Sequence, residues 1–259
     1  MNCEDVTPVV LTWNEEPNLA RCLERLRWAK RVVVVDSLST DETKLVASRF
    51  ANVSFLERRF DDHAAQWNFG LEAVTSPWVL SLDADYRVPE TFSDELRALE
   101  PDEDVDAFLA RFRYCVFGKA LRGTLYPPRA ALFRKARCSY ENDGHTQRLV
   151  VKGGTGSLTS VIDHDDRKPL SRWFASQDKY ALLEAGKLAA AHDGLRLQDR
   201  LRKWIVIAPA LTFFYCLFYK LLIFDGWRGW FYTGQRVTAE LMLSLHLLER
   251  KLKGEGDAG

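Results

Sequence analysis

The stretch Arg31-Val-Val-Val-Val-Asp36 decides the fold. An unbroken β-branched run that ends in a carboxylate is typical of a parallel strand with both faces buried. Further short apolar runs lie at Thr7–Trp13, Asn52–Glu57 and Trp78–Leu82, and segments with helical spacing separate them, including a helix predicted over Asp62–Ala73. This alternation predicts an α/β domain in which helices flank a mainly parallel sheet.

The second half of the chain has a different pattern of apolar residues. From about Asp104 the apolar residues alternate over longer stretches, which predicts antiparallel strands beside the parallel sheet. These stretches are Ala107–Val116, Ala130–Phe133, Gln147–Val151 and Leu158–Ile162. We therefore expect one domain over residues 1–195, made of the halves 1–100 and 101–195.

Composition excludes several classes of protein. With 47% hydrophobic residues among 259, the chain can bury a core, so it is not disordered as a whole. Its 36 basic and 36 acidic residues cancel, so no general positive field recruits nucleic acid. The five cysteines include no C-x-x-C pair, which argues against a disulfide framework or a zinc knuckle and favours the cytosol. Because no glycine precedes Gly70, a G-x-G-x-x-G fingerprint and a P-loop are excluded from the first strand–helix units.

The segment Trp204–Phe224 predicts contact with a membrane. Its 21 residues carry one charge, Lys220, and as a helix it would be about 31 Å long. Basic residues lie on both sides of it, so the positive-inside rule keeps both ends in the cytoplasm. We therefore favour a helical region, residues 196–253, that lies in the interface or turns back within it, over a single span, with a frayed tail at 254–259. A buried core helix kinked at Pro209 is the alternative without a membrane.

Carboxylates follow the predicted strands at the edge where open α/β sheets bind ligands. Asp83-Ala84-Asp85 follows the fourth apolar run, Asp36 ends the second, and Thr12-Trp13-Asn14-Glu15-Glu16 follows the first. Two carboxylates separated by one small residue can bind Mg²⁺ or Mn²⁺ together with a substrate diphosphate, because these cations prefer oxygen ligands. A solvated loop with two acidic residues is the alternative interpretation of this D-x-D. The recurrence of polar clusters at the same predicted edge of the sheet favours a binding site.

In these blocks the chain resembles the family 2 glycosyltransferases of the GT-A fold. The family's T-x-N-E-E, V-V-D-S-x-S-x-D-x-T and D-A-D blocks correspond to Thr12–Glu16, Val34–Thr43 and Asp83–Asp85. The sequences of Phe60–Gly70 and Trp78–Leu82 are most similar to those of the lipopolysaccharide-core type, a group that contains glucosyltransferases. The resemblance is dense over roughly the first 90 residues and loose beyond them. It implies the GT-A nucleotide-diphospho-sugar transferase fold.

The resemblance implies roles in binding a nucleotide-sugar donor. Thr12, Glu15 and Asp36 would hold the base and ribose of the nucleotide. Gln66 and Asn68, on the predicted third helix, would help to orient the donor. For Asn68 a place on the helix surface is the alternative.

The resemblance also implies a divalent metal site. Asp83 would contact the ribose or the metal, and Asp85 would bind the metal on the donor diphosphate. His164 would complete the metal's ligands from the second half of the chain, as a histidine does in many GT-A enzymes. Its alternative is an ordinary loop histidine among acidic neighbours.

Inverting transfer also needs a general base to accept the proton of the acceptor hydroxyl. The polar stretch Glu141–Arg148 is the candidate segment, with Asp143 as first choice and His145 as second. Relatives often have a His-Glu pair near this position, whereas this chain has Thr146-Gln147 there. Since Asn142-Asp143-Gly144 also favours a turn, a structural role for this segment is the alternative.

These expectations define a function. The resemblance implies a metal-dependent inverting glycosyltransferase that moves a sugar from a UDP-sugar onto a lipopolysaccharide-core or lipid-linked glycan acceptor. The apolar segment places it, as a peripheral or monotopic protein, at the cytoplasmic face of the inner membrane. The first alternative is a GT-A-like binding module, tethered to the membrane, whose catalysis has lapsed. The second is nucleotidyl transfer to a sugar phosphate, against which the missing glycine-rich loop counts.

Overall fold

The computed structural model describes residues 1–143, 146–190, 197–205 and 207–254. By its internal contacts the chain divides into two compact units. One comprises residues 1–120 and 125–168, and the other comprises residues 121–124 with the chain from Pro169 onward. The predicted catalytic domain, 1–195, ends later than the first unit, and its boundary stays a prediction.

The first unit begins with alternating strands and helices, as predicted. In chain order these are β1 (Val6–Thr12), α1 (Glu16–Glu24), β2 (Val32–Asp36), α2 (Thr43–Ser48), β3 (Val53–Glu57), α3 (His63–Glu72) and β4 (Trp78–Asp83). The four strands are parallel neighbours in the order β3-β2-β1-β4. Val32 and Val34 pack in the cluster on one face of the sheet, whereas Val33 and Val35 pack in the cluster on the other. The unbroken valine run therefore serves a strand buried on both faces.

The rest of the unit extends this sheet. It consists of β5 (Tyr86–Arg87), α4 (Phe92–Ala98), β6 (Val105–Val116), β7 (Lys119–Ala120), β8 (Arg129–Arg134), β9 (Cys138–Asp143), β10 (Thr146–Val151) and β11 (Gly154–His164). Within the described residues the sheet has the order β3-β2-β1-β4-β8-β6-β11-β5, and β7 pairs with β6. Strands β9 and β10 form a separate antiparallel hairpin. The predicted α/β architecture, with its mainly parallel sheet, is confirmed.

One strand direction was predicted wrongly. Strand β8 is antiparallel to both β4 and β6, and β10 is antiparallel to β9, as expected. Strand β11, which contains Leu158–Ile162, instead runs parallel to β6 and is antiparallel only to the short β5 at its end. Alternation of side chains identifies a strand but carries no information on its direction, which depends on the neighbour it joins in the sheet.

The second unit is helical. It contains α5 (Leu170–Ala190), α6 (Leu197–Lys203), α7 (Ile207–Phe214) and α8 (Trp227–Leu252), with a π-helical turn at Tyr215–Tyr219 and a 3₁₀ turn at Leu222–Asp225. Both α5 and α7 pack against α8. Across the described ranges, no helix is both long enough and apolar enough to cross a membrane.

The apolar segment Trp204–Phe224 is divided instead of forming one helix. Its regular helix ends at Phe214, and the chain reverses where Leu221 and Gly226 adopt left-handed φ values of 57° and 58°. A Cβ on Gly229 would lie 1.8 Å from the carbonyl oxygen of Leu222. This close approach needs a residue without a side chain, so glycine at position 229 is what the turn requires.

Candidate active site

The parallel strands bring the predicted residues to one edge of the sheet. Thr12 is paired in register with Asp36 on β2, and its neighbour Leu11 is paired with Asp83 on β4. The carboxyl ends of β1, β2 and β4 therefore lie side by side at one edge of the sheet. This is the edge where ligands of open α/β sheets bind.

Asp36 organises the turn that follows β2. The carboxylate is buried and accepts hydrogen bonds from Thr12 Oγ1 at 2.7 Å, Ser39 N at 2.7 Å and Ser39 Oγ at 2.6 Å. Within this turn Leu38 has a φ of 60°, and Asn14 on the facing loop has a φ of 52°. Thr12 and Asp36 thus hold the loops that would surround a nucleotide, and their contact with its base and ribose stays a prediction.

The two amides predicted on α3 both make contacts within the protein. Gln66 is buried, donates to Ser37 Oγ at 3.0 Å and accepts from Arg58 Nη1 at 2.8 Å. Asn68 donates to the carbonyl of Tyr140 at 2.9 Å and accepts from its N–H at 3.0 Å, so it joins α3 to β9. These bonds favour a supporting role for both amides, and their orientation of a donor stays a prediction.

The two aspartates of the D-A-D block face different surroundings. Asp83 is 43% exposed and lies 3.6 Å from Arg129 Nη2. Asp85 is 12% exposed, and its Oδ2 lies 3.1 Å from His164 Nε2. Although burial opposes ionisation, His164 and Lys168 lower the pKa of Asp85 to about 2, so its carboxylate is ionised at neutral pH.

Strand pairing brings His164 to Asp85. Strand β11 pairs with β5 so that His164 is opposite Tyr86, the residue that follows Asp85. The imidazole packs edge-on against three tyrosine rings, those of Tyr86, Tyr114 and Tyr126, at centroid distances of 4.7 to 5.4 Å. Burial lowers the pKa of His164, but the neighbouring Asp85 outweighs burial and raises it overall.

Lys168 places a half-buried cation in the same site. Its ammonium lies 2.7 Å from Glu15 Oε1, 3.2 Å from Asp166 Oδ1 and 4.0 Å from Asp85 Oδ2. Burial lowers the pKa of Lys168, but Glu15 and Asp85 outweigh burial and raise this pKa above its ordinary value. The amine therefore stays charged. Burial raises the pKa of Glu15 to about 7, although Lys168 opposes this change. Three acidic side chains therefore share one lysine.

Arg129 supplies a second cation. Its guanidinium carbon lies 4.8 Å from the ring centroid of Tyr126, 5.2 Å from that of Phe112 and 5.7 Å from that of Tyr86. Stacking on aromatic rings fixes the planar group and leaves its N–H donors directed along its edge. Arg129 is therefore held beside Asp83, where it can meet a ligand that binds to this carboxylate.

A buried ionic cluster anchors the segment after His164. Asp165 is fully buried and accepts from Arg21 Nη1 at 2.6 Å, Arg167 Nε at 3.0 Å and the N–H of Gly118 at 3.0 Å. These bonds lower the pKa of Asp165, although burial alone would raise it. The cluster fixes the backbone between His164 and Lys168.

The predicted general base lies at the margin of the described residues. The backbone of Asp143 ends β9 and is opposite Thr146 at the start of β10. The side chain of Asp143 and all of His145 lie outside the described residues. The choice between them stays a prediction.

The donor set fits a divalent metal completed by phosphate. Asp85 Oδ1 and His164 Nδ1 are buried and have no hydrogen-bond partner among the described residues, as expected of atoms available to a cation. Within that part of the chain no group of three or more His, Cys, Asp or Glu side chains converges on one point. Asp85 and His164 carry oxygen and imidazole atoms of the kinds that Mn²⁺ accepts, and a diphosphate could supply further ligands. The binding of a metal by Asp83, Asp85 and His164 stays a prediction.

Two functional candidates were missed by sequence analysis. Lys168 follows His164 in a stretch of charged residues, so its sequence context is typical of a solvated loop. Arg129 begins a strand far from the D-A-D block, and no local pattern links the two. Other arginines of the second half have different surroundings: Arg148 is exposed beside Glu141, and Arg167 pairs with Asp165.

The chain is similar in sequence to bacterial glycosyltransferases. The chain is 26% identical over 185 residues to the lipopolysaccharide core biosynthesis glycosyltransferase LpsC of Rhizobium meliloti, a match that covers 68% of each chain. It is 27% identical over 108 residues to an uncharacterized glycosyltransferase of Rickettsia conorii, where it spans 41% of this chain and 38% of the relative.

Solved structures share the fold. A mannosyltransferase from Pyrobaculum calidifontis, in complex with GDP-Man and Mn2+, superposes with a TM-score of 0.54 at 17% identity, covering 97% of this chain and 88% of that one. TarS 1-349 of S. aureus, in complex with UDP-GlcNAc, gives a TM-score of 0.51 at 15% identity, with coverages of 98% and 92%. The GT-A-like fold expected from the resemblance is confirmed.

The family model described as glycosyl transferase family 2 matches residues 8–160, more than half of the 259 residues. This match spans the strand ends that carry Thr12, Asp36, Asp83 and Asp85. The chain therefore belongs to glycosyl transferase family 2 and is a glycosyltransferase.

Proposed function

We propose that the protein is a metal-dependent inverting glycosyltransferase that transfers a sugar from a UDP-sugar to a lipopolysaccharide-core or lipid-linked glycan acceptor. The observation that carries this proposal is the Asp85–His164 pair beside Asp83, at the end of the parallel strands. It combines an ionised carboxylate, an imidazole and a half-exposed carboxylate in one site.

The donor side of the proposal rests on chemistry and on the structural neighbours. One neighbour binds GDP-Man with Mn2+ and another binds UDP-GlcNAc, so nucleotide sugars are the shared class and the nucleotide differs. In this chain Asp83, Asp85 and His164 would hold the cation. When bound, the metal supplies positive charge that stabilises the departing nucleoside diphosphate.

The chain's own cations supplement that charge. Lys168 lies 4.0 Å from Asp85 and Arg129 lies 3.6 Å from Asp83, and both would contact phosphate oxygens of the donor. The site thus couples acidic residues for a cation with basic residues for a polyanion, the combination that a metal-bound diphosphate requires.

The acceptor side of the proposal rests on the relative LpsC, whose name assigns it to lipopolysaccharide core biosynthesis. Asp143 would accept the proton of the acceptor hydroxyl, with His145 as the alternative. We expect Asp143→Asn to abolish transfer while donor binding is kept, because the amide preserves shape and loses basicity. Normal transfer by Asp143→Asn with loss in His145→Ala would assign the proton to the imidazole.

We also propose that the enzyme works at the cytoplasmic face of the inner membrane as a peripheral or monotopic protein. This location would give the site access to both cytosolic nucleotide sugars and a lipid-linked acceptor. The apolar segment Trp204–Phe224 and its basic flanks support it.

The decisive experiment measures release of nucleoside diphosphate by the purified chain. A panel of UDP-sugars and GDP-sugars is incubated with Mn²⁺ and bacterial lipid extract, with Asp85→Asn as the inactive control. We expect release from one UDP-sugar that needs both metal and extract and that is lost in the variant. Donor binding without release under every condition would support the lapsed binding module and overturn the enzymatic proposal.

A further inference from the structure

The turn between α7 and α8 exposes an unusual set of side chains. We call residues 214–230 the hairpin tip. Trp227 is 88% exposed, Tyr219 73% and Phe224 66%. Other large apolar side chains of the tip are also exposed, namely Phe214, Tyr215, Phe218, Leu221, Ile223 and Trp230. Exposed apolar residues are common singly, but a contiguous group of aromatic ones marks an interaction site.

The tip is nevertheless a folded element. Cys216, Leu217 and Leu222 are completely buried, so the tip has an inner apolar face that holds it against its own unit. The reversal is tight, because Gly229 packs against the carbonyl of Leu222. The exposed aromatic residues therefore form an outer face on an ordered support.

The charges around the tip favour an anionic partner. The tip itself contains two basic side chains, Lys220 and Arg228, and one acidic side chain, Asp225. Arg122, in the same unit, lies 5.8 Å from the ring of Phe224 and also pairs with Asp225, and Lys220 Nζ lies 5.5 Å from the ring of Tyr215. Cations with long stems beside exposed aromatic rings can stay at the headgroups while the rings enter a bilayer.

We propose that the outer face of the hairpin tip inserts into the interface of an anionic lipid bilayer. Phe218, Phe224 and Trp227 would enter the boundary between headgroups and acyl chains, and Lys220 and Arg228 would remain with the phosphates. Tryptophan and tyrosine concentrate at this depth because their rings have one apolar and one polar part. The inference rests on the proposed function only in that a lipid-linked acceptor gives the enzyme a reason to bind membranes.

A sedimentation experiment with vesicles tests this surface. The purified chain is mixed with vesicles of phosphatidylglycerol and phosphatidylethanolamine, and with phosphatidylcholine vesicles as the neutral comparison. The test variant is Phe224→Ser with Trp227→Ser. Its matched control is Leu45→Ser with Phe117→Ser, which removes two exposed large apolar side chains from the first unit.

We expect the parent chain to sediment with the anionic vesicles, and the test variant to partition to them at least about tenfold less. The control should stay within about twofold of the parent, and neutral vesicles should bind less of every variant. Donor hydrolysis without vesicles is measured in parallel, so loss of the proposed activity and loss of docking are separate results.

Three outcomes would overturn the inference. The parent chain could remain in the supernatant with anionic vesicles. The test and control variants could lose binding equally. Light scattering could show that the parent is a stable dimer and that the test variant is a monomer, in which case the tip binds a second copy of the chain.

Discussion

The strand-end site and the hairpin tip reverse the usual distribution of side chains. The site buries charged groups, including Asp36 and Asp165, whereas the tip exposes Phe224 and Trp227. Asp36 accepts a hydrogen bond from Thr12 and Asp165 accepts one from Arg21, and these donors lie 24 and 144 positions away in the chain. The exposed aromatic residues lie on a short, tightly turned support.

The two regions differ in what holds their side chains in place. A buried charge is tolerated only when its partners are in place, so the site depends on the whole fold of its unit. An exposed aromatic ring costs the fold little and gains its contacts from an outside partner. Substitutions should therefore affect folding and catalysis at the site, and binding alone at the tip.

The largest effect is expected at Asp85. Asp85→Asn keeps the shape of the side chain but removes the charge that would bind the metal and that pairs with His164. Loss of several kcal/mol of charge stabilisation corresponds to a fall in turnover of about 100-fold or more. Steady-state transfer assays across a Mn²⁺ titration measure it, and circular dichroism checks the fold. Activity within a few-fold of the parent, with metal still required, would remove Asp85 from the metal site.

Asp165 tests whether the buried ionic cluster supports the site. Asp165→Asn leaves Arg21 and Arg167 without their shared carboxylate, which should lower the free energy of unfolding by about 3 kcal/mol at pH 7. Because the folded-state pKa of Asp165 lies below its ordinary value of 3.8, this stabilisation is present above pH 3.8 and is lost as the pH falls further.

Urea denaturation of both proteins at pH 7 and at pH 3 measures the difference. The exposed Asp94, which pairs with Arg97 at the surface, offers the control Asp94→Asn, expected to change stability by less than about 0.5 kcal/mol. Equal effects of the two substitutions would show that burial of Asp165 does not matter.

Asp36 separates donor binding from turnover. Asp36→Ala removes the buried acceptor of three hydrogen bonds that order the turn after β2, which should cost about 1 to 3 kcal/mol of stability. Its proposed contact with the donor is equal in the ground and transition states, so donor affinity should fall by about tenfold and kcat at saturating donor should change less. Calorimetric titration with UDP and kinetics at saturating donor distinguish the two. A large fall in kcat with unchanged affinity would contradict this role.

The smallest effect on folding is expected at the tip. Trp227→Ser removes the most exposed of the tip's aromatic rings, so the free energy of unfolding should change by no more than about 0.5 kcal/mol. The same urea experiment measures it. A loss of 2 kcal/mol would mean that Trp227 supports the fold, and the contrast between the two regions would then fail.

The sequence determined the nature and order of the first elements. Four apolar β-branched residues in a row at Val32–Val35 specify a doubly buried strand, because any solvent-facing strand would alternate. A carboxylate directly after such a strand must lie at the carboxyl edge of the sheet. For this reason Asp36 and the Asp83–Asp85 block could be assigned to one site from local patterns alone.

Only the tertiary structure decided which distant groups complete that site. His164 meets Asp85 because β11 pairs with β5, and Arg129 reaches Asp83 because β8 enters the sheet beside β4. Lys168 lies beside Glu15 although 153 positions separate them. Local periodicity reports burial but not direction or partner, and both of these depend on how the whole sheet is assembled.

The apolar segment shows the same division. The composition of Trp204–Phe224 determined that the segment is apolar. It did not determine which of its side chains would be buried and which would be exposed. The left-handed residue Leu221 and the contact of Gly229 with Leu222 turn the chain back on α8, so part of the segment is buried and the rest forms the outer face of the tip. That choice depends on packing between α7 and α8, because the apolar composition of the segment does not specify which of its side chains this packing covers.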